Sequence, residues 1–414
     1  MKNLSITILC LSLLSCAESP DSKSKSVNTD DDQFTDVRAQ ELAKKFIIVD
    51  GHVDLPYKLA EEGWMKKGQL PDLRKEFDGN FDYAKSKRGG FDAPFMSIFL
   101  PAKLQTVGGA SKALADSLID MVGSIAERYP DHFALANSPG EVKANFEKGL
   151  VSLPMGMENG SGLEDDLDNV QYFFERGIRY ITLSHGKANR ICDSSYDKER
   201  MWNGLSPFGK EVVAEMNRVG IMVDISHVSD STFYQVMKLS SVPCIASHSS
   251  ARKFTPGFER NMSDDMIKLL ASKGGVMMIN FGSTFVSDRS RKIWDEFKSM
   301  RDQLKSDSSH LSKNELEKLN NEWLEDHNLF ASVSEVADHI DHVVQLVGID
   351  YVGFGSDFDG VGNTLPNGLK TAADYPKLIA ELLERGYTEE DIQKISHKNI
   401  FRVWNQVLVH ASNS

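Results

Sequence analysis

Cysteine is scarce in this chain, and positive charge is in short supply. Only four cysteines occur in 414 residues, at positions 10, 16, 192 and 244. The first two fall in an N-terminal leader-like stretch, so a disulfide framework of the kind that staples small secreted domains is excluded. Cys192 and Cys244 show no pairing pattern and are expected to be free, Cys244 as a core residue beside a strand. Lys and Arg number 47 against 60 Asp and Glu, a formal charge of −13. Nucleic-acid phosphates would be repelled by such a surface, which sets that class of partner aside. Three common catalytic signatures are also missing: a G-x-S-x-G elbow, an H-E-x-x-H helix and a P-loop. The glycine-rich "GFGSDFDG" follows the last strand candidate with the wrong spacing for a dinucleotide.

The apolar run Leu4 to Leu14 is too short to span a bilayer as a mature helix and matches the core of an export signal. It ends in Leu13-Leu14-Ser15-Cys16, which resembles a bacterial lipobox with Cys16 as the lipidated residue. The expectation is therefore an exported protein of the cell envelope. Residues 1–15 would be the signal, 16–40 a polar flexible tether, and 41–412 the folded domain, with membrane contact through lipid on Cys16. At 41% hydrophobic residues, the body has ample material for a large core.

From residue 46 onward short apolar runs alternate with helical patterns. Strands are expected at 46–50, 95–100, 150–155, 179–184, 221–226, 243–247, 275–281 and 351–356. Several are apolar almost throughout, as parallel strands covered on both faces must be. Helices are expected at 110–128, 164–177, 206–219, 263–273 and 333–347, with more in the tail 374–410. Ser206-Pro207 opens one and Gly220 closes it. Eight β/α alternations point to a closed (β/α)8 TIM-like barrel. A charged, helical insertion, 283–330, falls between the seventh and eighth strands. It reads as a solvated helical pair, with a substrate lid or subunit contact as the sharper alternative.

The stretch "FIIVDGHVDLP" sets an imidazole and a carboxylate two residues apart where a hydrophobic strand stops. The same thing happens around the barrel. Glu158, His185, His227, His248 and Asp357 each follow a predicted strand, so all face the carboxyl rim. Four of the eleven histidines sit at such positions. Alternation puts His52 and Asp54 on one side of an extended chain, able to hold one cation together. His227 and His248 can hold a second, and Glu158, with two oxygens, can bridge the pair. Imidazole and carboxylate ligands of this kind suit Zn²⁺, with Mn²⁺ or Co²⁺ as substitutes. His339 and His342, at helical spacing in "ADHIDH", lie away from the rim and read as structural.

At these residues the sequence resembles the membrane dipeptidase (renal dipeptidase) family of zinc peptidases, over roughly residues 45–410. The resemblance is carried by "DGHVDLP", "MENG", "GLSPFGKEVVAEMNRVGIMVDISHVSD", "ASHSSAR", "ERNMSDD", "VADHIDHV" and "GFGSDFDG". It implies two zinc ions per subunit, one held by His52, Asp54 and Glu158, the other by Glu158, His227 and His248. It implies that His185 polarises the substrate, that Arg260 grips a terminal carboxylate and that Asp357 handles the proton. A dipeptide substrate, with a D-residue tolerated at its second position, and a homodimer belong to the same expectation. The stretch "GKANRICDSSYD" after His185 departs from the mammalian pattern, and the cysteines of the mammalian disulfides are not reproduced. Hydrolysis would proceed through water activated between the metals. Two other readings compete: a related binuclear amidohydrolase acting on N-acyl amino acids or cyclic amides, and a tethered binding protein on a barrel without activity.

Overall fold

Eight parallel strands close into a cylinder, and two more form a small sheet beside it. In chain order the strands are β1 (Ile48–Val53), β2 (Phe91–Phe99), β3 (Phe133–Leu135), β4 (Val151–Leu153), β5 (Met155–Glu158), β6 (Ile178–Thr182), β7 (Met222–Asp224), β8 (Ile245–Ser249), β9 (Val276–Ile279) and β10 (Val352–Phe354). The barrel runs β1-β10-β9-β8-β7-β6-β5-β2, while β3 pairs with β4 outside it. The structure, a computed structural model, describes residues 29–64, 70–307 and 312–413. The expected signal, the lipid site at Cys16 and the start of the tether lie outside these. No helix of the described residues is long and apolar enough to cross a membrane.

Burial explains the strand composition. Nearly every strand residue of the barrel is inaccessible, because helices cover the outside and side chains fill the inside. The interior packing near the strands' amino ends joins Val49, Ala93, Phe95, Tyr180, Met222, Ile245 and Val276 to Trp404 and Val407 of the C-terminal helix Asn399–Ser412. Phe95 lies 5.1 Å from the Trp404 ring and 5.3 Å from Tyr180. The last helix thus plugs the end of the barrel opposite the predicted rim. Gly156 makes room in the wall: a Cβ there would come within 2.0 Å of the Tyr180 ring.

Helix boundaries follow their signals. Ser206 caps Pro207–Val219 by accepting from the Gly209 N–H at 2.8 Å, and Gly220 ends it in a left-handed conformation, φ 100°. Helix Ala110–Arg128 stops just short of Tyr129-Pro130. Ser332 and Glu335 form a reciprocal cap on Val333–Val347.

Two expectations change. The apolar run 150–155 is not one strand. Pro154 breaks it, leaving β4 in the side sheet and β5 in the barrel, and the Pro154 carbonyl accepts from the Met96 N–H at 2.7 Å. The segment read as tether is helical from residue 29, in Thr29–Lys45. Ala39, Leu42, Ala43 and Phe46, spaced three or four apart, are buried, and Arg38 and Lys45 both pair with Glu389. Polar composition hid that short apolar stripe. Cys192 and Cys244 are free and buried, as expected.

The insertion folds as helices Ser283–Val286, Asp288–Asp307 and Lys313–Asp326 between β9 and β10. The two long helices carry a small core of their own, Phe297, Leu324 and Leu329, flanked by Ile293, Trp294 and Trp323.

Asp92, at the start of β2, is a buried carboxylate whose Oδ2 accepts from the Ile48 N–H at 3.1 Å. Burial pushes its carboxyl up to about 7 from 3.8. The folded state therefore keeps a proton that the unfolded chain releases, and stability from this group is lost as pH rises between about 4 and 7. Asp92→Asn, which keeps an acceptor without the charge, should leave stability unchanged near pH 4 and raise it by about 2–4 kcal/mol above pH 7, read from urea unfolding at both pH values.

Candidate metal centre

The carboxyl rim gathers the residues that the sequence singled out, though not all beyond the strand ends. His52 lies within β1 and His248 within β8, Glu158 is the last residue of β5, and His185, His227 and Asp357 follow β6, β7 and β10. His227 and Asp357 both adopt left-handed backbone, at φ 67° and 62°. Neither is glycine, so each turn carries strain that aims its side chain inward.

Glu158 is the hub. Its Oε2 stands 3.4 Å from His52 Nε2. Its Oε1 stands 3.1 Å from His227 Nε2, 3.2 Å from His248 Nε2 and 3.6 Å from His185 Nε2. His52 Nε2 is also 3.3 Å from Asp54 Oδ2, as strand alternation requires. One carboxylate thus turns one oxygen toward each expected half-site. Three overlapping groups have donor atoms within 4.8 Å of one another: His52, Glu158 and His248; Glu158, His185 and His227; and His52, Asp54 and Asp357.

The hydrogen-bond network fixes which ring nitrogens face the centre. The Tyr180 hydroxyl donates to the Gly51 carbonyl at 3.0 Å, so at 2.8 Å it accepts from His52 Nδ1–H. That leaves His52 Nε2 bare and aimed at two carboxylates. Likewise the Ser247 hydroxyl donates to Asp224 Oδ2 at 2.6 Å and accepts from His248 Nδ1–H at 2.7 Å. His248 Nε2 then faces His227 Nε2 at 2.9 Å. His227 Nδ1 is buried without a partner, so no hydrogen bond fixes that ring's tautomer, and its Nε2 is the nitrogen turned toward Glu158. His52 Nε2 and Asp54 Oδ1 are buried and have no hydrogen-bond partner. Imidazole and carboxylate donors, oriented by outer hydrogen bonds, are what divalent metal ions take.

The electrostatics agree. Burial alone would raise the Glu158 carboxyl, yet the imidazoles of His185, His52, His227 and His248 hold it well below its ordinary value. Burial and then nearby cations, Arg260 among them, hold His227 and His248 well below 6.5, so both are neutral, as ligation needs. Burial would lower His52 as well, but Tyr180, Glu158 and Asp54 hold it well above its ordinary value. Burial, with Asp54 and Glu158 adding to it, pushes Asp357 up to about 7.

These groups floor a cavity of about 630 Å³. Its walls are aromatic, with Tyr57, Phe99, Tyr196, Phe258, Phe285 and Trp294, and the insertion contributes part of them. Arg260 is buried, 3% exposed, and is not among the residues that line the cavity. It donates through Nη1 to Ser249 Oγ and through Nη2 to the His248 carbonyl, both at 2.7 Å, and its Nε has no partner. His339, set aside as structural, accepts from the Ala251 N–H through Nδ1 at 2.9 Å and meets the Val286 carbonyl through Nε2 at 3.0 Å. His342 pairs with Asp264.

Sequence reading missed the supporting shell. Tyr180, Asp224 and Ser247 orient the ligands, Asp50 accepts from the His52 and Ser356 N–H groups, and Asn280 donates to Asp357 Oδ2 at 2.7 Å. The available signal was a polar residue inside an otherwise apolar strand: Asp224 in "IMVDIS" and Ser247 in "CIASHS".

A family model for membrane dipeptidases (peptidase family M19) matches residues 37–414. Dipeptidase 3 of Mus musculus is 32% identical over 376 residues, 89% of this chain and 66% of that protein, so the chain spans just under two thirds of that relative's length. Among solved structures, the probable dipeptidase PvdM from Pseudomonas aeruginosa is similar with a TM-score of 0.78 at 25% identity, over 92% of this chain and 100% of that one. A metallo peptidase from Rhodobacter sphaeroides, liganded with a phosphinate mimic of the dipeptide L-Ala-D-Ala, shares the fold with a TM-score of 0.70 at 22% identity, over 87% and 99%.

If the Asp224–Ser247 pair sets the His248 tautomer, Ser247→Ala should lower metal affinity by about 10- to 100-fold with the fold intact. Competition against a chelator of known affinity, with circular dichroism as the folding check, measures this.

Proposed function

The chain belongs to the membrane dipeptidase family, and from that premise we propose that it is a metallo-dipeptidase that hydrolyses the single peptide bond of dipeptides. The observation that supports this most directly is Glu158, whose Oε2 faces His52 while its Oε1 faces His227 and His248. We take His52, Asp54 and Glu158 as the ligands of one zinc ion, and Glu158, His227 and His248 as those of the other. Bound there, the two ions would supply acidified water and a Lewis acid for the peptide carbonyl.

The chain's own residues do the rest. His185 lines the cavity beside His227, with ring centroids 4.2 Å apart, and offers a donor to the carbonyl oxygen as negative charge grows on it. Asp357 is held by Asn280 through one oxygen, leaving the other for a proton. Its raised pKa suits taking a proton from water and handing it to the leaving amine. Arg260 keeps an unpaired Nε, a charge-assisted donor for a terminal carboxylate. The aromatic walls exclude water from the reacting bond, and a cavity of this size admits a small peptide rather than a protein loop. A second residue of D configuration belongs to the same proposal.

Protein stripped of metal by chelation should lose dipeptide hydrolysis and regain it with Zn²⁺. Asp357→Asn should keep its full metal content while kcat falls by about 100-fold or more; loss of metal instead would make Asp357 a ligand, since it stands in one of the donor groups. Arg260→Met should raise KM for free dipeptides far more than for their C-terminal amides. Steady-state kinetics on paired substrates, L-L and L-D, reads all of these.

A further inference from the structure

The insertion brings an arginine to the cavity, and no carboxylate of the described residues pairs with it. Helix Asp288–Asp307 contributes Arg291, Trp294, Asp295 and Lys298 to the wall. Lys298 pairs with Asp295 at 2.7 Å, so those two charges cancel. Arg291 has no ion pair among the described residues, and its Nη1 is sealed from water without a hydrogen-bond partner. An arginine that merely snorkels keeps its whole fork in solvent; here one prong is buried.

The guanidinium is also held still. Its Cζ lies 3.9 Å over the Phe258 ring, and Phe258 packs against Phe285 at 5.9 Å. Arg260 lies 5.4 Å from the Phe285 ring. The two arginines therefore flank one aromatic pair, Arg260 against Phe285 and Arg291, in the wall, against Phe258. Tyr196 bridges Phe258, 6.2 Å away, and His227, 5.8 Å away, so Arg291 stands two rings from the metal ligands. A planar fork stacked on an aromatic face is pre-organised for two-pronged contact with a carboxylate. Leaving a sealed donor unmade is costly, so an anion is favoured there.

We propose that Arg291 is a specificity-determining residue that binds an acidic side chain of the substrate, making dipeptides that contain Asp or Glu the preferred class. The inference rests on the dipeptidase reading and adds a second carboxylate contact, separate from the one assigned to Arg260.

The test compares kcat/KM of the zinc-loaded full chain for acid and amide twins: Ala-Asp with Ala-Asn, Ala-Glu with Ala-Gln, and Asp-Ala with Asn-Ala. The wild-type protein should favour the acid by tenfold or more in at least one pair. Arg291→Met should bring that ratio to near one, and Arg291→Glu should push it below one. A general structural role would lower both twins together and leave the ratio alone. A wild-type ratio near one in every pair, or a ratio that survives Arg291→Met, overturns the proposal. If no dipeptide is hydrolysed, the dipeptidase reading fails by itself. Calorimetric Kd values for the same twins then decide on Arg291: tighter acid binding that Arg291→Met abolishes upholds the carboxylate site, and equal binding removes it.

Discussion

Glu158 has two oxygens, and four imidazoles compete for them. Sharing one carboxylate among residues from β1, β6, β7 and β8 requires those strands to end within a few Å of a common point. An open sheet spreads its strand ends along a line; a closed cylinder brings them to a ring. The requirement of this one side chain is thus met by the topology of the whole molecule. Strain at His227 and Asp357, the tight contact of Gly156 with Tyr180, and the C-terminal plug around Trp404 all serve the same convergence.

The centre is buried acid and base in balance. Without a cation, Glu158 is drawn down by its imidazoles and Asp357 is driven up by burial and its acidic neighbours. Opposite shifts on two carboxylates in one cavity suit them to different roles, one held ionised and the other poised to titrate near neutrality. The outer shell then decides which face of each imidazole is presented. Tyr180 and Ser247 each accept a ring N–H because each is already donating elsewhere, to Gly51 and to Asp224. Direction in that network comes from the final acceptors, a backbone carbonyl and a buried carboxylate.

Much of this was legible in the sequence because it rests on short-range rules. Alternation placed His52 beside Asp54, and the recurrence of ligand-type residues after apolar runs placed His185, His227 and Asp357 on one rim. The strand boundary at 150–155 was drawn wrongly because apolar character says nothing about which sheet a segment joins; Pro154 was the available warning. The helix from residue 29 was hidden because three small or apolar contacts suffice to dock it, while its composition stays polar. Tyr180, Asp224 and Ser247 escaped notice for a different reason. Tyr180 meets His52 from 128 residues away, and Ser247, though next to His248, is directed by Asp224 from 23 residues away; such pairings leave no local pattern. The insertion showed its helices but not that one face of them lines the cavity.

Three apolar clusters hold the described residues together, two in and around the barrel and a smaller one around Phe297, Leu324 and Leu329. The clustered histidines and carboxylates belong to the barrel, and part of the chamber wall belongs to the insertion. Trp294 packs on that smaller cluster and lines the cavity, whereas Glu158 and His248 sit on strands of the barrel. One stretch of the chamber's wall therefore leans on apolar packing separate from the packing that sets its floor.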